Sequence, residues 1–491
     1  MRTPGGRRTP SGDCAVAVSP ATVSQATVLP RPSVTERVSD ADEQDGATDA
    51  WLYGWALGYA AVGAASLLVP LYAIDLGAGA FLVSLIAATA AFAGAPGAVL
   101  WGELVTRTRR RRPFIIVALA STAGVLLLLP FLDSPWTVLA ANAALWFVVA
   151  AAAPVLNVVV VEGHEPSRWT TRFGLLNHYQ GYGWLAGLLA GGVWSTLAGS
   201  QFGLGPLAAK RLFFVVGATA TAVGVLVVFL RYPEPATMSD RRFRRLSPRH
   251  RAANGSAERA ARAVPFGPAR IYWALRDVGF GGNGVARFRG RVSGRLARYL
   301  LAATVFFAGF SAFFGPLPAY LVDAGYATDE VFLLFILSSA ASAAAYARAG
   351  AAAAAFDPVR LQLGALLFRA GAFPVVALVG AAVAPPVGPV VVGLLFLALG
   401  ASWAVIAVTA TGLVSQFAPE PIRAQALGIY TAIASLGGGV GSVVGGAIAG
   451  AVGYLPAFGV AGGCVAVSAL VATGRNDDGD DGERLERRGR Q

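Results

Sequence analysis

Twelve apolar runs divide this 491-residue chain. Each has about 20 residues or more, long enough to cross the hydrocarbon core of a bilayer as a helix. They fall at residues 51–74, 80–104, 113–132, 136–161, 171–197, 211–230, 298–322, 330–349, 360–384, 388–413, 422–451 and 455–473. Backbone exposed to lipid must satisfy its hydrogen bonds within its own segment, so all twelve are predicted to be helices. No long alternating pattern of a membrane barrel is present. Only 13% of residues are charged and 55% are hydrophobic, which excludes a soluble protein of this length. The predicted fold class is an all-α integral membrane protein with twelve transmembrane helices.

Two short patterns each occur twice. P-x-Y-x-x-D-x-G runs Pro70, Tyr72, Asp75, Gly77, and again Pro318, Tyr320, Asp323, Gly325, at an offset of 248. G-x-x-x-G-x-x-x-G-G runs Gly183, Gly187, Gly191, Gly192, and again Gly437, Gly441, Gly445, Gly446, at an offset of 254. Two matches at nearly one offset point to a duplicated membrane half. The helices are therefore expected as two six-helix bundles related by a pseudo-two-fold axis along the membrane normal, the usual plan of a secondary transporter. The expected organisation is a disordered cytoplasmic tail (1–50), an N-terminal bundle (51–230), an Arg-rich cytoplasmic central loop (231–297), a C-terminal bundle (298–473) and a charged cytoplasmic tail (474–491).

Charge is unevenly placed. Segment 231–298 holds 16 arginines and 4 acidic residues, a surplus equal to the whole net charge of +12. Arg107 and Arg109 to Arg112 lie between spans 2 and 3, Arg168 and Arg172 between spans 4 and 5, and Arg423 between spans 10 and 11. Loops after spans 1, 3, 7, 9 and 11 carry no Lys or Arg; Lys210 with Arg211 is the exception on that side. The positive-inside rule puts both termini and the central loop in the cytoplasm. These basic residues serve topology and contact with anionic lipid, and no nucleic-acid partner is expected. One lysine among 38 arginines, with Asp-rich tails, points to a prokaryote and hence to its plasma membrane. Cys14 and Cys464 imply neither a disulfide framework nor a metal site, and no cofactor is expected.

The stretch Gly102 to Arg111 resembles the loop 2–3 motif of the major facilitator superfamily, G-x-x-x-D-R-x-G-R-R. Gly102, Arg107, Arg110 and Arg111 match; Thr106 replaces the Asp and Arg109 the second Gly. Pro419 to Arg423, followed by Ala426 and Gly428, is similar to the family's loop 10–11. The resemblance covers about residues 51–473. It implies a conformational switch loop formed by Gly102, Glu103, Arg107, Arg110 and Arg111, which latches the halves on the cytoplasmic side. With the Asp missing, Glu103 or the carbonyls of a helix C-terminus are left as partners for Arg107. The two glycine patterns supply helix-packing faces, since small residues four apart let helices approach closely. The resemblance implies that they join span 5 to span 8 and span 11 to span 2. The first copy is also similar to the family's antiporter signature, but Leu188 and, in the second copy, Ser442 stand where it has Pro.

The resemblance further implies a cavity between the halves, lined by spans 1, 4, 7 and 10 with 2, 5, 8 and 11 beside them. The substrate-cavity candidates are Trp55 and Tyr59 on span 1, and Asn142, Trp146 and Asn157 on span 4. Asn177, His178, Gln180 and Tyr182 follow on span 5, the phenylalanines 307, 310 and 314 on span 7, and Trp403, Thr409 and Thr411 on span 10. No carboxylate lies near the middle of spans 1, 4, 5, 7, 10 or 11. Asp75 and Asp323, at span ends, read as caps for neighbouring helices or turns. His178 reads as a structural hydrogen-bonding residue rather than a proton carrier. Arg369 is the deepest charge; on a span that the resemblance makes peripheral, it reads as snorkelling to the cytoplasmic face rather than binding an anion. Glu162-Gly163-His164-Glu165 lacks the two-His spacing of a zinc hydrolase and reads as a solvated loop.

The expectation is a monomeric secondary active transporter, surrounded by membrane lipids, for a small-molecule substrate coupled to a proton or sodium ion. An aromatic and amide wall without fixed charge favours export of a neutral or lipophilic compound; uptake of a sugar or similar metabolite is the alternative. A multi-span enzyme or a transport-dead sensor is disfavoured. The one Asp cluster, Asp477-Asp478 with Asp480-Asp481, lies in the tail beyond the last span.

Overall fold

The protein is represented by a computed structural model that describes residues 49–107, 111–161, 169–232, 292–382 and 387–473. Both tails, the central loop, the Glu162–Glu165 loop, Arg110 and Arg168 lie outside the described residues, and the side chains of Gly102 to Arg107 are likewise not described.

The helices are α1 (Trp51–Asp75), α2 (Ala80–Phe92), α3 (Gly94–Arg107), α4 (Arg112–Leu128), α5 (Pro135–Val161), α6 (Trp169–Ser200) and α7 (Pro206–Arg231). The second half continues with α8 (Gly294–Phe314), α9 (Leu317–Asp323), α10 (Thr328–Ala355), α11 (Pro358–Ala382), α12 (Val387–Phe417), α13 (Arg423–Val452) and α14 (Tyr454–Thr473). Helices α2 and α3 form the second span and α8 and α9 the seventh, so the predicted twelve spans are present. Prolines explain both interruptions. Pro96 in the first turn of α3, and Pro316 and Pro318 around the start of α9, lack the N–H that a continuous helix would need. Eleven spans are long and apolar enough to cross a membrane. The remaining one, α6, is long but carries Asn177, His178 and Gln180 within two turns.

Packing repeats between the halves. Helix α1 lies along α6 and α7 as α8 lies along α13 and α14. The α3–α5 pair is matched by α10–α12, and α4–α7 by α11–α14. Two extensive contacts cross between halves, α2 with α13 and α6 with α10. These two exchange under the pseudo-two-fold relation, so the duplicated sequence has become a duplicated arrangement.

The Pro-Tyr-Asp-Gly pattern builds a corner at the end of each half's first span. Gly77 and Gly325 have φ of 92° and 90°, the left-handed conformation in which glycine ends a helix without a Cβ clash. In the first copy the N–H of Gly77 bonds the carbonyl of Ile74 and that of Ala78 bonds Ala73; in the second, Gly325 bonds Val322 and Tyr326 bonds Leu321. Each is a Schellman cap. The Tyr72 hydroxyl donates to the carbonyl of Leu132 at 2.8 Å, and the Tyr320 hydroxyl to that of Val376 at 2.9 Å, tying the corner to the third span of its half. The aspartate reaches the last span. Lys210 Nζ donates to Asp75 at 2.7 Å, and the Tyr454 hydroxyl donates to Asp323.

Candidate functional site

A cavity of about 940 Å3 opens between the halves. Five helices build its wall. From α6 come Asn177, His178, Gly181, Tyr182, Trp184 and Leu185, a run whose spacing of three and four places it on one helical face. From α8 come Phe307, Phe310, Ser311 and Phe314; from α10, Ser338, Ser339, Ser342, Ala343 and Tyr346; from α11, Arg369; from α12, Gly400 and Trp403. A smaller cavity of about 290 Å3, between α2, α8 and α13, shares Ser311 and Phe314 with it.

The cavity is closed at one end. On the side away from the start of α1, Gly191 and Gly192 of α6 meet Phe332 and Ile336 of α10, and Thr196 donates to Asp329 at 3.2 Å. Gly446 of α13 meets Ser84 and Ala80 of α2, and Ser442 Oγ donates to the carbonyl of Ser84 at 2.7 Å. At the other end Tyr182 is 62% and Tyr346 38% exposed.

The glycine patterns differ from expectation in direction. A Cβ on Gly183 or Gly187 would fall on the carbonyl of Ala56 or Ala60 in α1; one on Gly437, Gly441 or Gly445 would fall on the carbonyl of Thr304, Ala308 or Ala312 in α8. These glycines therefore pack within each half, not across the interface. Only Gly191, Gly192 and Gly446 face the other half. The tenth position of the pattern points about 180° from the first, so one motif serves two neighbours.

Of the expected cavity residues, Asn177, His178, Tyr182, Phe307, Phe310, Phe314 and Trp403 line the wall. Trp146 and Tyr59 reach it through Trp184, at ring distances of 6.4 and 6.0 Å, and Trp55 lies behind Tyr59, 4% exposed. Gln180 is half-buried on α6 beside the lining positions. Asn142 instead pins α5 to α2, donating to the Ile86 carbonyl at 3.1 Å and to Thr89 Oγ1 at 2.7 Å. Asn157 is buried near the end of α5, away from the cavity wall. Thr409 and Thr411 donate to their own helix, at the carbonyls of Val405 and Ala407. They lie about two turns beyond Trp403, too far along α12 to reach the wall. Of the switch-loop residues, Arg111 is half-buried at the start of α4.

Arg369 is the largest departure. It does not snorkel: it is 2% exposed and borders the cavity, so the expected absence of fixed charge from the wall does not hold. Nε donates to Ser402 Oγ at 3.0 Å and Nη2 to the carbonyl of Leu399 at 2.7 Å. Sequence reasoning also passed over Ser338, Ser342 and Tyr346. Their four-residue spacing on α10 is the signal that would have placed them on one face.

The family model described as Major Facilitator Superfamily matches residues 53–420. Among solved structures, the nucleoside transporter NupG is 13% identical with a TM-score of 0.62, over 87% of this chain and 98% of that one. A POT family transporter in complex with 5-aminolevulinic acid is 10% identical with a TM-score of 0.61, covering 87% and 95% of the two chains. A bacterial homolog to the human lysosomal transporter Spinster is 13% identical with a TM-score of 0.58, covering 87% and 94%. At such identities the likeness concerns the fold. No curated protein sequence matches the chain.

Proposed function

The chain belongs to the major facilitator superfamily, and from that premise, a secondary transporter of small solutes and not an enzyme, we propose that the 940 Å3 cavity is its transport site. Residues 51–230 would rock against 298–473 to expose it to either side. One observation carries this reading. The cavity lies between the halves and is closed at one end by α6–α10 and α13–α2 packing, while among the described residues the other end is open. With the orientation drawn from the arginines, the open end faces the cytoplasm of a prokaryotic cell. A site loaded from that side, with Phe307, Phe310, Phe314 and Trp403 on its wall, fits export of a solute with an apolar body.

Uptake of a sugar or similar metabolite is the second reading, favoured by the hydroxyl and amide groups of Ser338, Ser339, Ser342 and Asn177. Counterflow in proteoliposomes tests carriage itself. A solute that raises the melting temperature of the purified protein is expected to exchange, labelled for unlabelled, faster than across empty liposomes. No acceleration for any stabilising solute would sink the proposal. Repeating the assay with a pH gradient of either sign assigns direction and coupling.

A further inference from the structure

Arg369 lies near the middle of α11, where a charge is costly and is kept for use. Its hydrogen-bond partners, Ser402 and the carbonyl of Leu399, are neutral. No carboxylate pairs with it among the described residues. Its guanidinium carbon stands 4.6 Å from the ring centre of Phe310, 5.7 Å from Trp403 and 6.0 Å from Phe314. Aromatic faces offset part of the lost hydration of a cation, but they leave its charge in place. The cavity wall therefore combines an uncompensated positive charge with a group of aromatic rings.

We infer that the solute is an organic anion, its charged group bound by Arg369 and its apolar body held against Phe307, Phe310, Phe314 and Trp403. The inference rests on the cavity being the transport site. A guanidinium offers paired N–H groups to a carboxylate, sulfonate or phosphate alike. Two of its three nitrogens are already held by α12, so the fork is oriented before the solute arrives. The serine hydroxyls of α10 in the same cavity can donate to the remaining oxygens. The incoming charge neutralises Arg369, so binding removes a penalty that the empty site carries.

The test is calorimetric binding to the detergent-purified full chain, using 2-naphthoate, 2-naphthalenesulfonate and 2-naphthyl phosphate, with 2-naphthamide as the neutral counterpart. At least one anion is expected to bind about tenfold or more tighter than the amide, as a hydrogen bond to a charged group requires. The tightest of the three assigns the head group. Arg369→Gln should erase the preference and Arg369→Lys should keep part of it. Equal binding of amide and anions, no binding of any anion, or a folded R369Q protein that keeps the preference would each overturn the inference. If R369Q does not fold, the comparison on the unmodified protein decides alone. Counterflow with a neutral solute in a protein that ignores all three anions would remove this inference and leave the carrier; absence of all counterflow would remove the carrier as well.

Discussion

Single residues in this protein are best understood at its two corners. The repeated Pro-Tyr-Asp-Gly was legible as a repeat, but its purpose was not, because the partners are distant in sequence. Leu132 and Lys210 receive the first copy, Val376 and Tyr454 the second. Lys210, the chain's one lysine, is 5% exposed, so its charge depends on Asp75. Replacing it (Lys210→Met) leaves the carboxylate unpaired and is expected to cost about 2–3 kcal/mol, less than a wholly buried pair because Asp75 keeps some exposure. Asp75→Asn should cost a similar amount, and the double variant should recover part of the loss. Thermal unfolding of the purified proteins checks this; additive losses would contradict it. Arg369 was misread for a related reason. Its depth in the span was plain, but not that Leu399 and Ser402 turn its head toward the cavity.

Among elements, the helices themselves were legible almost to their ends, since a bilayer demands length and apolarity of each. Which way each helix faces was harder to read. The glycine pattern reads as a packing face, but its first glycines meet α1 and α8 and only its last meet the opposite half. A pattern of small residues tells how close a neighbour can come, but carries nothing about which neighbour it is. The distinction can be measured. Gly187→Ala and Gly441→Ala each drive a methyl group into a carbonyl of the adjacent helix and should destabilise by about 1–3 kcal/mol. Gly371→Ala, where an added Cβ meets nothing within 4 Å, should leave the melting temperature unchanged.

At the scale of the molecule, the duplication foretold the mirrored packing of the two halves, but the cavity wall is unequal. One helix of the first half, α6, faces four of the second. Sequence symmetry could not show this, because the cavity is made by what the two halves fail to fill. Closure at the far end is the feature that alternating access must undo. A short thiol cross-linker joining Thr196→Cys to Asp329→Cys, in a protein with Cys14 and Cys464 replaced by serine, should therefore abolish counterflow, and reduction should restore it if the linker is cleavable. Undiminished exchange in fully cross-linked protein would mean that this end does not open.

The polarity of α6 also governs how the chain is made. A segment bearing Asn177, His178 and Gln180 gains too little from lipid to leave the insertion machinery alone. It needs a surface already waiting in the bilayer, and α1, whose Ala56 and Ala60 carbonyls receive Gly183 and Gly187, provides one. The groups that suit α6 to a solute thus make it a dependent passenger during biogenesis. Adding more polarity to α6 to widen the range of cargo would deepen that dependence.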